Sequence, residues 1–220
     1  MKSDIQLHQD VLAELHWDPR LYECVNDIGV ETNDGVVTVA GSVSSFVEKV
    51  ALERAVERVA GVKSVINDVT VSVPIRHARS DTELTQRITD ALAWDVEVPK
   101  NEVTASVGDG LVTLDGQVEW QYQRDAAARV VRGLIGVRGV TNDIRVTVKP
   151  VSSDDVSRTI KEALERRADQ TAARIVVDTV DGVVTLTGSV PSFGERRAAE
   201  GAAWSAPGVK EVRDALAVVF

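Results

Sequence analysis

The histidines are the first candidates for metal or acid–base chemistry, because the imidazole titrates near neutral pH and is a common metal ligand. His8 and His16 lie eight residues apart, about two turns of a helix and too far for a two-histidine metal clamp. His77 lies in a segment predicted to link two repeats. The spacing favours solvated surface histidines over metal ligands.

Cys24 is the single cysteine, which excludes an internal disulfide framework and any zinc or iron–sulfur site built from several thiolates. Glu23 and Asp27 lie close in sequence, and their negative charge raises the pKa of a thiol rather than lowering it. An inert, half-buried thiol is therefore favoured over a reactive one.

Two further patterns resemble functional motifs but have simpler explanations. Gly108, Gly110 and Gly116 fall within a predicted hairpin, and no G-x-G-x-x-G or Walker pattern joins a strand to a helix, so no phosphate cradle is predicted. Asp154 and Asp155 stand at a predicted helix start, where the helix dipole favours acids. We assign no catalytic, cofactor-binding or metal-binding residue and predict that the chain is not an enzyme.

A cluster of aromatic and arginine residues is the strongest candidate for a binding site. Its members are Trp120, Tyr122, Arg124, Arg129 and Arg132. Guanidinium groups can hold lipid phosphates while Trp and Tyr rest at the membrane interface, which makes the cluster a candidate contact for lipid or for another partner. The alternative is that these arginines occupy the polar face of an amphipathic helix and need no ligand.

Composition and charge restrict the partner further. The chain has 220 residues, of which 44% are hydrophobic, so it can build cores rather than remain disordered. It carries 25 Lys and Arg against 34 Asp and Glu, a formal net charge of −9, which as a whole repels nucleic acid and anionic membrane. Nucleic acid is therefore not expected as a partner, and binding to an anionic surface must be local.

Three copies of one unit fill the chain. In each copy an Asp-Gly dipeptide is followed six residues after its glycine by a second glycine and, twenty residues later, by a Gly-Val pair. The marker residues are Asp34, Gly35 and Gly61; Asp109, Gly110 and Gly136; and Asp181, Gly182 and Gly208. Successive Asp-Gly turns are 75 and 72 residues apart, a spacing typical of small domains rather than of solenoid units.

Every copy shows the same order of predicted elements. An amphipathic helix with apolar residues four positions apart comes first. Two β-rich runs then flank the Asp-Gly, which predicts a hairpin with a type I′ turn. A second helix is predicted over residues 46–60, 121–135 and 193–206; it stops at the Gly-Val and leads to a last, alternating strand.

Tryptophans end the first helix in two of the copies. Trp17 and Trp94 occupy equivalent places, and Trp94 falls on the flank of the apolar stripe of its helix. We expect each indole to seal the edge of the core. The alternative is an exposed anchor for a membrane or a neighbouring domain.

The repeated segment resembles the BON domain, a family named after bacterial osmotically inducible periplasmic proteins and nodulation proteins. The likeness is carried by DGVVTVAGSV at 34–43, DGLVTLDGQV at 109–118 and DGVVTLTGSV at 181–190, with the later Gly-Val pairs. It implies an α+β fold of three tandem two-layer sandwich domains, each helix-strand-strand-helix-strand, with a mixed three-stranded sheet covered by two helices. We place these domains at residues 1–74, 80–149 and 152–220.

The resemblance also implies a function. BON domains are regarded as non-catalytic modules that bind phospholipid or other envelope components, often in stress-protective proteins. We therefore expect no cofactor and, as partner, an anionic phospholipid or membrane surface, bound weakly and in a salt-sensitive way through the second copy. The alternative is a cytoplasmic scaffold that binds proteins and gains avidity from its tandem domains, with the oligomeric state left open.

Two features depart from the family pattern. The amino terminus has charged and polar residues where an export signal has its apolar run, so a cytoplasmic location is expected, or a periplasmic one if Met1 is not the native start. The third copy has Asp214-Ala215 where the others have Asn-Asp, and Gly201 in its second helix costs about 1 kcal/mol relative to alanine. We expect this copy to be the least stable or to lean on a neighbour.

Overall fold

The computed structural model describes residues 2–147, 151–166 and 175–219. The predicted α+β order is confirmed in each copy: a helix, two antiparallel strands, a second helix and a last strand parallel to the middle one. The described residues group into two compact units. One holds those up to Gly116 together with Asp125–Ile144, and the other holds Gln117–Arg124 together with those from Arg145 onward.

The first copy consists of α1 (Asp4–Trp17), β1 (Ile28–Asn33), β2 (Val36–Val43), α2 (Phe46–Glu57) and β3 (Ser64–Val71). β2 lies in the centre, antiparallel to β1 and parallel to β3. Both helices begin at a capping box, in which a serine hydroxyl and the side chain of the third helical residue each accept a backbone hydrogen bond. The helices bury their apolar stripes against one face of this sheet.

The second copy consists of α3 (Asp81–Trp94), β4 (Val103–Gly108), β5 (Leu111–Val118) and α4 (Gln121–Arg132), followed by β6 (Gly139–Asn142) and β7 (Arg145–Val146). The sequence predicts one continuous last strand where the structure has these two pieces. Both run parallel to β5. The amide of Asp143 donates to the carbonyl of Leu114 at 2.8 Å, so the backbone ladder crosses the interruption.

The third copy consists of α5 (Ser153–Arg166), β8 (Ile175–Val180), β9 (Val183–Val190), α6 (Phe193–Trp204) and β10 (Glu211–Val218), with β9 in the centre of the sheet.

Asp214 of β10 does what an asparagine does in the first copy. Its Oδ1 accepts a hydrogen bond from the amide of Leu216 at 2.9 Å, as Asn67 Oδ1 does from Val69 at 3.3 Å. Its carboxylate also forms an ion pair with Arg196 of α6, at 2.6 Å. The substitution that departs from the sequence pattern therefore preserves the local backbone geometry.

The second helices are shorter than the sequence predicts. They end at Glu57, Arg132 and Trp204 rather than at residues 60, 135 and 206. After α2, the amides of Arg58 and Val59 donate to carbonyls three positions back. The last turn therefore tightens before the glycine, and helical spacing in the sequence extends beyond the α-helix itself.

The Asp-Gly turns hold each hairpin to the segment before the last strand. Both residues have positive φ, 49° at Asp34 and 83° at Gly35 in the first copy, as a type I′ turn requires. The carbonyl of Gly35 accepts from the amide of Lys63 at 2.8 Å, and equivalent bonds of the same length occur in the other copies. A Cβ at Gly35 would lie 3.0 Å from the carbonyl oxygen of Gly61, so a side chain there would disturb this connection.

Candidate functional site

The five candidate contact residues lie on or directly before α4, but they do not form one surface. Trp120 and Tyr122 are exposed. Because each helical residue turns by about 100°, Arg129 lies within about 20° of Tyr122, Arg132 lies about 80° away, and Arg124 lies on nearly the opposite side. Arg124 and Arg132 are accordingly half-buried, whereas Arg129 is exposed.

Arg129, which shares the face of Tyr122, already has a partner. Its guanidinium forms an ion pair with Glu97 from the loop after α3, and both side chains are exposed. An exposed ion pair contributes little to stability, so Arg129 can exchange the carboxylate for another anion at small cost. The Nε of Arg132 is enclosed and has no hydrogen-bond partner within the described ranges.

Trp120 occupies the N-cap position of α4, where Ser45 and Ser192 cap the equivalent helices of the other copies. Replacing such a cap by a residue without a side-chain oxygen costs about 1 kcal/mol. Gln123 supplies only half of a capping box, since its Oε1 accepts from the amides of Glu119 at 3.1 Å and Trp120 at 3.0 Å. Helix stability therefore does not explain a tryptophan at this position.

The prediction that Trp17 and Trp94 seal the core edge is wrong, because their side chains are 83% and 89% exposed. Leu15 and Leu92, two residues earlier, end the buried stripe of each helix. A further rotation of about 200° carries each tryptophan to the outer side.

A second large exposed side chain follows each of these tryptophans. Tyr22 is exposed in the first copy, and Val96 is 97% exposed in the second. Neither residue stands out in the sequence, because an aperiodic loop gives no hydrophobic pattern from which exposure can be inferred. The two copies therefore present the same kind of apolar pair at the end of the first helix.

The loop after α1 is filled. Leu21 and Val25 are buried in it, and Asp18 is only 4% exposed. The carboxylate of Asp18 accepts hydrogen bonds from Nε and Nη2 of Arg20 at 2.9 and 2.5 Å, and from Nη2 of Arg58 at 3.1 Å. These bonds, above all those from Arg20, hold the pKa of Asp18 well below its usual range.

Cys24 is also buried in this loop. Burial raises the pKa of its thiol, and the nearby carboxylate of Glu48 raises it further, which is the environment of an inert cysteine.

The histidines are less uniform than predicted. His16 is exposed, but His8 is half-buried, with its Nε2 3.1 Å from the carbonyl oxygen of Val30.

The equivalent loop of the second copy leaves a cavity of about 570 Å³. Eight residues separate Trp94 from β4, against ten between Trp17 and β1. Ala105 lines the cavity at a position where the other copies have Val30 and Val177. The cavity therefore results from a shorter loop combined with a smaller side chain.

The described ranges hold neither a metal-binding cluster nor a membrane-spanning helix. They contain no group of three or more His, Cys, Asp or Glu residues that could hold a metal ion. Among the same residues, no helix is both long enough and apolar enough to cross a membrane.

Comparison with known proteins gives the family. The BON domain model matches residues 3–72, 80–148 and 152–219. Osmotically-inducible protein Y of Escherichia coli (strain K12) is 31% identical over 143 residues, which cover 62% of this chain and 71% of that protein. A protein of the gshII 5′ region of Anaplasma centrale is 32% identical over 118 residues, 51% of this chain and 78% of the relative.

Among solved structures, CdsD, a structural protein of the type III secretion system of Chlamydia trachomatis, is 16% identical over 97% of this chain and 92% of its own, with a TM-score of 0.28. That score is too low to support an argument. The three domain matches, by contrast, span nearly the whole chain and coincide with the three helix-covered sheets. This chain therefore belongs to the BON domain family and carries three copies of the domain.

Proposed function

We propose that this chain is a non-catalytic binding protein that attaches to phospholipid at the cell envelope during stress adaptation. The observation that carries the proposal is the end of α3, where Trp94 and Val96 are almost fully exposed. Membership of the BON family supports a binding role rather than a catalytic one. The relative named for its osmotic induction supports the link to stress.

Exposed aromatic and aliphatic side chains at one helix end favour a membrane interface, where indole rings collect. The first copy repeats the arrangement with Trp17 and Tyr22. Two such anchors in one chain support binding by avidity, because the second contact forms at a high effective concentration once the first is made.

Helix α4 supplies the charged part of the proposed contact. Tyr122 and Arg129 share one face, and an anionic headgroup can replace Glu97 as the partner of Arg129. Arg132 adds a second guanidinium on the flank of this face. Because the chain carries a net charge of −9, we expect the electrostatic part of binding to be weak and to be lost as salt is raised.

Co-sedimentation with vesicles tests the proposal. We expect the full chain to sediment with vesicles that contain phosphatidylglycerol, and less with vesicles of phosphatidylcholine alone. Trp94→Ser should lower the bound fraction several-fold, because it removes the side chain that inserts. Leu111→Ser removes another large exposed apolar side chain, from the sheet of the same copy, and is the matched control that should bind normally.

Charge reversal separates the electrostatic contribution. Arg129→Glu combined with Arg132→Glu should lower binding at low salt and have little effect at high salt, whereas Trp94→Ser should lower binding at both. Unchanged binding by the arginine variant would remove α4 from the contact. If the unmodified chain sediments with neither kind of vesicle at low salt, the proposal is rejected and the protein-scaffold hypothesis is favoured.

A further inference from the structure

The sheet of the third copy has an open face that differs from those of the other two. Its helices cover the side on which Val177 and Thr179 are buried, so the alternate residues of β8 point away from them. Two of these are large and apolar: Val176 is 62% and Val180 60% exposed. The equivalent positions carry Gly29 and Asn33 in the first copy, and Thr104 and Gly108 in the second.

Strand register places a charged row between the two valines. Asp178 of β8 is opposite Thr185 of β9, and Thr185 is opposite Arg213 of β10. The acid and the base therefore stand on opposite edges of the same face, about 10 Å apart, which is too far for an ion pair. In the described ranges the carboxylate of Asp178 has no hydrogen bond or ion pair, and Arg213 bonds only to the exposed Glu211, at 2.8 Å.

We propose that this open face binds the same face of a second copy of the chain, across a two-fold axis that runs along the strands. Such an axis places each edge strand opposite the other edge strand of the partner. Residues that lie side by side across one sheet stay opposite the same set of residues in the partner. Asp178 then faces the partner's Arg213, and Arg213 faces the partner's Asp178. In the row on one side Val176 faces the partner's Ala215, which buries both apolar side chains. In the row on the other side Val180 faces the partner's Glu211, whose carboxylate forms an ion pair with Arg213 of its own chain.

The charges favour this axis over a second two-fold axis that could also bring the two faces together. A two-fold axis perpendicular to the strands would set Asp178 against the partner's Asp178 and Arg213 against the partner's Arg213. Like charges in contact are destabilising, so that arrangement is disfavoured. With the axis along the strands, by contrast, Asp178 gains a cation, which none of the described residues of its own chain supplies.

The sheets of the other copies do not have this complementarity. The row of the first copy equivalent to Asp178, Thr185 and Arg213 is Glu31, Thr38 and Ile66. That row has an acid but no base, so the same axis would leave Glu31 without a cation. In the second copy the equivalent row is Ser106, Thr113 and Thr141, which carries no charge. Among the described strands, the third copy combines exposed valines on its edge strand with an acid and a base in one row.

The size of the face sets the expected strength of the contact. Three strands spaced about 4.8 Å apart, each of up to eight residues rising about 3.3 Å, present a face of roughly 15 by 25 Å. That is below the area of about 800 Å² per partner found in standard stable interfaces. We therefore expect a weak dimer whose population rises with concentration.

Sedimentation velocity of the full chain, from about 1 to 200 μM, tests the proposal by following how the dimer population rises with concentration. Asp178→Arg and Arg213→Asp should each weaken association tenfold or more, because each sets like charges against one another. The double variant, Asp178→Arg with Arg213→Asp, should restore association to within a few-fold of the unmodified chain. Glu31→Arg reverses the charge at the equivalent position of the first copy and should leave association unchanged.

Circular dichroism of each variant verifies that the fold is kept. A chain that remains monomeric up to about 200 μM overturns the proposal. Association that neither single charge reversal weakens also overturns it, because the contact then lies on another surface. Rescue by the double variant is the result that a merely structural effect of either substitution would not produce.

Discussion

The loops that follow the first helix in copies one and two begin alike and then diverge. Each starts with an exposed tryptophan and an aspartate, Trp17-Asp18 or Trp94-Asp95. The first loop closes over a buried carboxylate held by two arginines, whereas the second leaves a cavity of about 570 Å³. Two residues of loop length, together with alanine in place of valine in the first strand, therefore separate the packed end of the first copy from the open end of the second, while both loops keep the same exposed anchor.

The largest contrast should appear when an apolar side chain is truncated in each loop. Leu21→Ala should destabilise the first copy by about 3 kcal/mol, since it opens a cavity in a filled region. Val98→Ala should cost about 1 kcal/mol, because it only enlarges a cavity that already exists. Hydrogen exchange of the β1 and β4 amides measures the two effects separately. Equal losses would mean that the first loop is no better packed than the second.

Removing the charge of the buried Asp18 should give the next largest loss of stability. Asp18→Asn leaves Arg20 without its carboxylate, whereas Arg58 keeps its ion pair with Glu14 at 2.7 Å. Because both arginines are also partly exposed to solvent, we expect a loss of about 2 kcal/mol rather than the full penalty of a buried pair. Asp95→Asn is the matched control in the second copy, where the half-buried carboxylate accepts from the amide of Glu97 at 2.8 Å. Its effect should be much smaller in the same exchange measurement.

Lowering the pH should also remove the contribution of Asp18 to stability, because it protonates the carboxylate. The pKa of Asp18 is lowered in the folded protein, so its stabilisation is complete above the pKa of an unfolded aspartate, about 3.9, and is lost as the pH falls towards the lowered value. Amides of β1 should therefore exchange faster below about pH 4, after correction for the intrinsic rate. Asp18→Asn should abolish this additional pH dependence; if it persists, another carboxylate causes it.

Filling the cavity should give the smallest change and the only gain in stability. Ala105→Val installs the residue that the other two copies have at this position, and the extra methyl groups enter existing space. We expect the free energy of hydrogen exchange of the β4 amides to rise by about 1 kcal/mol. Each buried methylene contributes about 0.8 kcal/mol, and imperfect packing of the new side chain removes part of that gain. A decrease in protection would show that the loop has already adjusted to alanine.

The repeated Asp-Gly and Gly-Val residues predicted the hairpins and the ends of the second helices, because positive φ at Asp34 and Gly35 and a helix stop before Val62 are local requirements of the backbone. The exposure of Trp94 could not be predicted in this way. Periodicity shows which residues form a stripe, but where the stripe ends depends on what packs against the helix.

The two surfaces that carry the proposals show the same limit of sequence reasoning. Val176 and Val180 alternate as any strand residues do, and only the packing of α5 and α6 shows that they lie on the open face. The arginines of α4 form a cluster in the sequence, yet helical rotation separates Arg124 from Tyr122 and Arg129. Spacing predicts which elements exist, whereas contacts between elements decide which side chains meet a partner.

The bond between the hairpin tip and the last strand also bears on the order of folding. In every copy the central strand has its antiparallel neighbour as soon as the hairpin closes, but its other edge stays unpaired until the second helix and the last strand have been synthesised. An unpaired edge of this kind is a site for aggregation. The central strand of each copy is therefore protected only when its last strand pairs with it, and the bond from the amide of Lys63, Arg138 or Lys210 to the hairpin tip lies at the beginning of that strand.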